Sequence, residues 1–217
     1  MVNAGNATIS CMALNTDLSL SPTSILATGG EFPNSVAVNA SRLVYVSNVN
    51  RPDNPFNPGG LAPATILGFR TDSQGTLSLV QNSMRTLSTP ASLPTQVLFD
   101  PSGRFLLVAE LFAKTIAVYP VQPDGTLGTP SLLVTEADVF GLVFVGDEVI
   151  VSADVSPPTT LGLGSASSFR FNSDGTLTPL TQAVGNGKTA PAGPPSLPTH
   201  ASSTRPTSTM ETSASSS

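Results

Sequence analysis

The chain has 217 residues, 39% of them hydrophobic and only 11% charged, with 20 Pro, 18 Gly and no Trp. Such a composition can bury a core and implies many turns. Its nine basic residues form no run and the net charge is −5, which argues against nucleic acid or an anionic membrane as a partner. No apolar stretch reaches the length of a membrane span, and the single Cys11 excludes an internal disulfide.

From the N-terminus, Met1 is not followed by a charged-then-apolar leader pattern. The chain opens directly on strand-like sequence, so it reads as starting inside a unit of a longer parent, whose compartment stays open, secretion included. Val2–Ser10 matches the end of one strand and the next strand of later units, and Asn15–Leu20 is a degraded copy of a tag that recurs downstream.

Three units then repeat one order of events. An apolar stretch, usually opened by Pro, comes first: 33–38, 94–99 and 139–144. A β-branched and aromatic run follows a turn, at 42–48, 104–110 and 149–154. A third strand is expected at 65–69, 115–119 and 167–171. The tag Gly-Thr-Leu, preceded by Asp, then starts an outer strand: Asp72 with Gly75-Thr76-Leu77, Asp124 through Leu127, and Asp174 through Leu177. Its glycines fall 50 residues apart both times. Four short strands per unit at that period, without helical periodicity, predict propeller blades. The fold class is therefore all-β, a partial β-propeller of about three to four four-stranded antiparallel blades. Asp or Asn before Gly supplies the positive φ of a tight turn, so the tag reads as structural.

Domain organisation is expected as a partial propeller over 1–191 and a Ser/Thr/Pro-rich, disordered tail over 192–217. Back-translated and shifted by two nucleotides, the tail permits an Arg ten positions after Pro191, as Arg104 follows Pro94. Tyr and Asn are permitted three and six positions beyond, as Tyr45 and Asn48 follow Arg42. The tail thus reads as a frame-shifted blade, with a genuine low-complexity tail as the alternative. His200, the lone histidine, is assigned no chemistry.

By blade position, the polar residues nearest the central channel are Asn48, Gln96, Arg104, Glu110 and Asp154. Glu110 and Asp154 close equivalent strands of neighbouring blades, so they are candidates for an acid and base converging on one ligand, or for strand-end caps. The long loop Arg51–Pro63 is a candidate cover for the channel mouth or a plain surface loop. Cys11 reads as a buried small residue. No metal-ligand cluster and no Walker or Rossmann phosphate loop is present, so neither metal nor cofactor is expected.

Gly30-Glu31-Phe32-Pro33, the Arg-Leu-Val-Tyr-Val-Ser-Asn run at 42–48, Asp100-Pro-Ser-Gly-Arg-Phe105 and the tags together resemble the lactonase-type seven-bladed propellers. That family groups 6-phosphogluconolactonase-like and carboxymuconate-cyclase-like proteins. The resemblance covers roughly 2–191 and implies a parent of about 350 residues at seven such units. It implies hydrolysis or cyclisation of a sugar lactone or muconate, and a small lactone or carboxylate as ligand. Members that act on lactones carry a Pro-His-Gln-Val-type motif followed by an acidic residue on the next strand. Here Pro94-Thr95-Gln96-Val97 places Thr95 where that His stands, with Glu110 as the acid. Thr cannot exchange a proton near neutral pH as imidazole does, so inactivity is expected, with a non-enzymatic ligand-binding or interaction scaffold as the alternative. An open arc also leaves blade faces exposed, predicting self-association through them.

Overall fold

The computed structural model describes residues 1–49, 63–89, 92–155, 164–185 and 187. The expected tail, most of the loop at 51–63 and His200 lie outside the described residues. Four antiparallel sheets follow one another in chain order, each a meander in which sequential strands pair.

The first sheet holds β1 (Val2–Asn3), β2 (Thr8–Leu14) and β3 (Leu20–Ala27). The second holds β4 (Pro33–Val38), β5 (Leu43–Asn48), β6 (Thr65–Thr71), β7 (Leu77–Leu79) and β8 (Arg85–Thr86). The third is β9 (Pro94–Phe99), β10 (Phe105–Glu110), β11 (Thr115–Pro120) and β12 (Ser131–Val134). The fourth is β13 (Asp138–Val145), β14 (Val149–Val155), β15 (Ser165–Phe171) and β16 (Leu177–Gly185).

The first sheet has three strands where the last two have four. Its β1 pairs Asn3 with Thr8, the relation that Asn48 has to Thr65, Glu110 to Thr115 and Asp154 to Ser165. β1 and β2 therefore occupy second- and third-strand places. In the second sheet the outer strand is broken: β7 and β8 both pair with β6. The Ser83 hydroxyl spans the break, accepting from the Gly68 N–H at 3.0 Å and donating to the Val80 carbonyl at 2.6 Å.

Arg42 does not start its strand as the sequence pattern suggested. It sits in the turn with φ 61°, its N–H donating to the Asn39 carbonyl. The tags form one hairpin turn repeated. Residues Asn15, Asp72, Gln122 and Asn172 each give an N–H to the carbonyl four residues on, and accept from the N–H three residues on. That third residue is Gly75, Gly125 or Gly175 at φ between 80 and 90°, where an L side chain is strained. In the degraded first copy it is Leu18, at φ 67°.

Sheets stack face to face in three apolar layers. Ile9 of the first sheet packs on Val44, Val46 and Phe69 of the second. Leu43, Tyr45 and Ile66 of the second meet Leu106, Val108 and Tyr119 of the third. Leu107, Ile116 and Val118 of the third meet Leu142, Ile150 and Phe169 of the fourth. Fully buried side chains such as Phe69 and Phe169 each contribute roughly 1.5–3 kcal/mol. Edge-to-face contact adds direction, with Phe105 and Phe171 centroids 5.5 Å apart at 80°.

Polar latches cross the same seams. The carbonyl of each tag glycine accepts a hydroxyl from the preceding sheet: Thr23 to Gly75 at 2.9 Å, Tyr45 to Gly125 at 2.8 Å, Ser131 to Gly175 at 2.8 Å. A Cβ on Gly75 would lie 2.7 Å from Thr23 Oγ1, so the tag also needs glycine for close sheet approach.

Candidate functional site

Second strands end where first strands begin, and this edge collects the sequence-predicted residues. Asn48 pairs with Pro33, Glu110 with Pro94 and Asp154 with Val139. In all three sheets a register shift follows, so Asn34, Thr95 and Phe140 each occupy a bulge. Bulges re-aim side chains, and here the aim is at the next sheet. Asn34 donates to the Pro94 carbonyl, and Thr95 Oγ1 lies 3.4 Å from the equivalent Val139 carbonyl. The same hydroxyl lies 3.3 Å from the Ala109 carbonyl.

One residue on, Ser35 accepts from the Val97 N–H at 3.1 Å. Its counterpart Gln96 clamps Leu142 at both ends, Nε2 donating to the carbonyl at 3.1 Å and Oε1 accepting the N–H at 2.6 Å. Gln96 thus spends its hydrogen bonds on inter-sheet backbone, while the Thr95 hydroxyl lies between a carbonyl of its own sheet and one of the next. Sequence reading singled both out and gave neither this role.

The three strand-end residues are fully buried. Glu110 Oε2 accepts the Ser88 hydroxyl at 2.5 Å, the Ser92 hydroxyl at 2.5 Å and the Ser88 N–H at 3.2 Å. These donors belong to the link that enters β9, so the carboxylate ties that link to the sheet it feeds. Asn48 does likewise, its Nδ2 donating to the Thr28 carbonyl at 3.0 Å. Among the described residues, Asn48 Oδ1 is a buried side-chain oxygen with no hydrogen-bond partner. Asp154 instead takes hydroxyls from its own sheet: Ser152 at 2.6 Å, Ser167 at 2.6 Å and Ser165 at 3.3 Å.

Glu110 and Asp154 share none of these partners. Each carboxylate accepts its own serine hydroxyls, Glu110 through Oε2 and Asp154 through both oxygens, which is the geometry of a strand-end cap. Arg104 precedes β10 while Glu110 ends it, roughly 20 Å of strand away. Its Nε donates to Ser102 at 3.2 Å and its guanidinium lies 5.5 Å from the Phe105 ring centroid. The serines were missed because serine is common in links and turns; register places Ser152, Ser165 and Ser167 beside Asp154, and the fold of the link places Ser88 and Ser92 on Glu110.

A cleft of about 430 Å³ lies between the second and third sheets, lined by Arg85, Ser88, Tyr119 and Thr129 among others. Ser88 connects it to Glu110. Burial, then the Glu110 carboxylate, pushes the Tyr119 phenol up, so it stays a donor. Arg85 lines this cleft with three of its five donors on backbone carbonyls, Nη2 on Leu127 at 2.8 Å and Nη1 on Asn82 and Met84. Among the described residues no group of three or more His, Cys, Asp or Glu is placed to hold a metal ion.

In sequence, residues 3–141 match the family described as lactonase, 7-bladed beta-propeller. The chain belongs to the lactonase seven-bladed β-propeller family. No curated protein matches this lactonase-family chain. Among solved structures it is similar to the periplasmic gluconolactonase PpgL of Pseudomonas aeruginosa, at 16% identity and a TM-score of 0.64, over 85% of this chain and 50% of that one. It is similar to a candidate 6-phosphogluconolactonase of Bacteroides uniformis, at 18% identity and a TM-score of 0.65, over 84% and 51%. The β-propeller domain of Myceliophteria thermophila Cps50 (Swd1) aligns at 10% identity and a TM-score of 0.54, over 85% and 55%. The lactonase-family chain spans about half the length of these structures, and at such identities the likeness establishes the fold.

Proposed function

We propose that this chain is a lactonase-family propeller segment descended from sugar-lactone hydrolases that does not itself open lactones. The ancestral reaction is hydrolysis of a sugar lactone or cyclisation of a muconate-type acid. The observation that carries the reading is Thr95. It stands where lactone-cleaving relatives carry His, and its hydroxyl lies within reach of two backbone carbonyls, Ala109 and Val139. A threonine so placed neither takes nor returns a proton at neutral pH. Its acidic counterpart Glu110 is buried and occupied by Ser88 and Ser92.

The second reading is a non-enzymatic ligand-binding or interaction scaffold. It is favoured by apolar side chains left open on the first sheet, Leu14 and Leu20 at 66% exposure each.

Assay of the purified chain on glucono-δ-lactone, 6-phosphogluconolactone and a muconolactone tests the proposal. The expected result is ring opening at the uncatalysed rate. Turnover above that rate, lost in Glu110→Gln, overturns it and restores Glu110 as a working acid or base.

A further inference from the structure

We infer that the cleft between the second and third sheets is a binding site for a small organic monocarboxylate with an apolar body, held by Arg85 and Tyr119. The inference does not depend on whether a lactone is opened, and both walls of the cleft are described residues of this chain.

The repeat supplies its own control. A second cleft, of about 450 Å³, lies one seam back between the first and second sheets, lined by Leu26, Gly29, Phe69 and Leu79 among others. Register makes these four the counterparts of Arg85, Ser88, Tyr119 and Thr129. Leu26 pairs with Ile9 beside the Thr8 to Ala27 pair, as Arg85 pairs with Ile66 beside the Thr65 to Thr86 pair. Phe69 pairs with Val44, four residues before Asn48, as Tyr119 pairs with Leu106, four before Glu110. Gly29 stands three residues past Leu26 as Ser88 stands three past Arg85, and Leu79 and Thr129 each stand two past a tag leucine. Three apolar side chains and a glycine at one seam thus become Arg, Tyr, Thr and Ser at the next. The fold does not demand that change, since the apolar set sits in the same geometry.

The polar set is arranged to receive an anion. Tyr119 is only 3% exposed, yet its hydroxyl opens onto the cleft and makes no hydrogen bond among the described residues. Burial keeps that phenol protonated, so it offers a donor. The three carbonyls that hold Arg85 fix its guanidinium in place, while Nε and one Nη2 hydrogen remain to be used. Among the described residues its charge has no carboxylate partner. A fixed cation and an unused phenol, close enough to act on each other electrostatically, suit a carboxylate that accepts from both. The Glu110 charge also reaches Tyr119, which favours a monoanion over a phosphate dianion. Leu87, Leu127, Pro130 and Leu132 line the rest of the cleft and would cover an apolar body. The volume of about 430 Å³ lies within the range of roughly 300–1,000 Å³ common for small-molecule sites.

The test is titration of phenylacetate into the whole chain, followed by calorimetry and by amide shifts. Saturable binding with shifts at Gly128 and Thr129 is expected. Phenylacetamide keeps the ring and lacks the charge, and is expected to bind about tenfold more weakly or worse. Tyr119→Phe copies what Phe69 shows the fold accepts at this place. It is expected to weaken phenylacetate about tenfold at an unchanged melting temperature, because the hydroxyl holds nothing within the protein. Arg85→Leu, after Leu26, is expected to abolish binding in a protein still folded by circular dichroism. No saturable binding by the parent overturns the inference. So does equal affinity for phenylacetamide or inorganic phosphate, or a Tyr119→Phe protein that binds phenylacetate as tightly as the parent.

Discussion

The Tyr45 hydroxyl donates to the Gly125 carbonyl at 2.8 Å, across 80 residues of sequence, and so joins the second sheet to the turn of the third. Burial pushes this phenol well above the ordinary tyrosine range, so the donor keeps its proton throughout neutral conditions. Tyr45→Phe retains the ring and leaves a buried carbonyl unpaired. The expected loss is about 1–2 kcal/mol, read as a lower urea midpoint at unchanged slope.

Leu18 occupies the turn position that glycine holds in the other three copies, and its side chain is 78% exposed. Leu18→Gly removes left-handed strain without uncovering any core. A gain of about 0.5–1 kcal/mol is expected. Gly75→Ala at the matching place combines φ 80° with a Cβ 2.7 Å from Thr23 Oγ1. It is expected to lose about 1–2 kcal/mol, and thermal melts of the pair should move in opposite directions.

Gln96 holds both the N–H and the carbonyl of Leu142. Gln96→Ala opens both bonds, at an expected cost of about 2 kcal/mol. Amide exchange at Leu142 should accelerate more than at Val97, whose N–H is held by Ser35. Equal acceleration at the two sites would show that the clamp is not local.

Acid should unfasten the tag turns. Hydrogen bonds from Thr76 and Gln74 hold the Asp72 carboxyl below its ordinary 3.8, those from Thr126 do so for Asp124, and those from Thr176 for Asp174. Because the folded values lie below the unfolded one, the contribution is complete above pH 4 and disappears as pH drops through the folded values. These carboxyls are exposed, so the effect is small and salt-sensitive. Melting temperature followed from pH 7 to 2 should show a shallower acid limb in Asp124→Asn than in the parent.

Fold was legible because blade architecture writes itself into local chemistry. Glycine at φ 80–90° is demanded by the turn, and alternation is demanded by each sheet, so both recur at fixed spacing. The candidate site was legible only in part. Position along the repeat correctly put Asn48, Glu110 and Asp154 at matching strand ends. It could not show that Ser88 and Ser92 fold back from the preceding link onto Glu110, because that contact depends on how two sheets nest. Arg104 lies at the start of β10 and Glu110 at its end, a separation along one strand that position in the repeat does not express. Thr95 was noticed as a departure from a motif and Gln96 by its blade position, whereas their contacts with the next sheet follow from a bulge that shows no sequence signature of its own.

Each of the three hydroxyl latches onto tag glycines among the described residues has a side chain on one side and a main-chain carbonyl on the other. A tandem duplication of one unit therefore carries donor and acceptor together, with no second mutation needed to match them. Repeats of this kind can be gained, dropped or drift apart in sequence while their seams remain compatible, since what each neighbour must recognise is backbone shape. That tolerance is consistent with a shared architecture surviving at 16–18% identity.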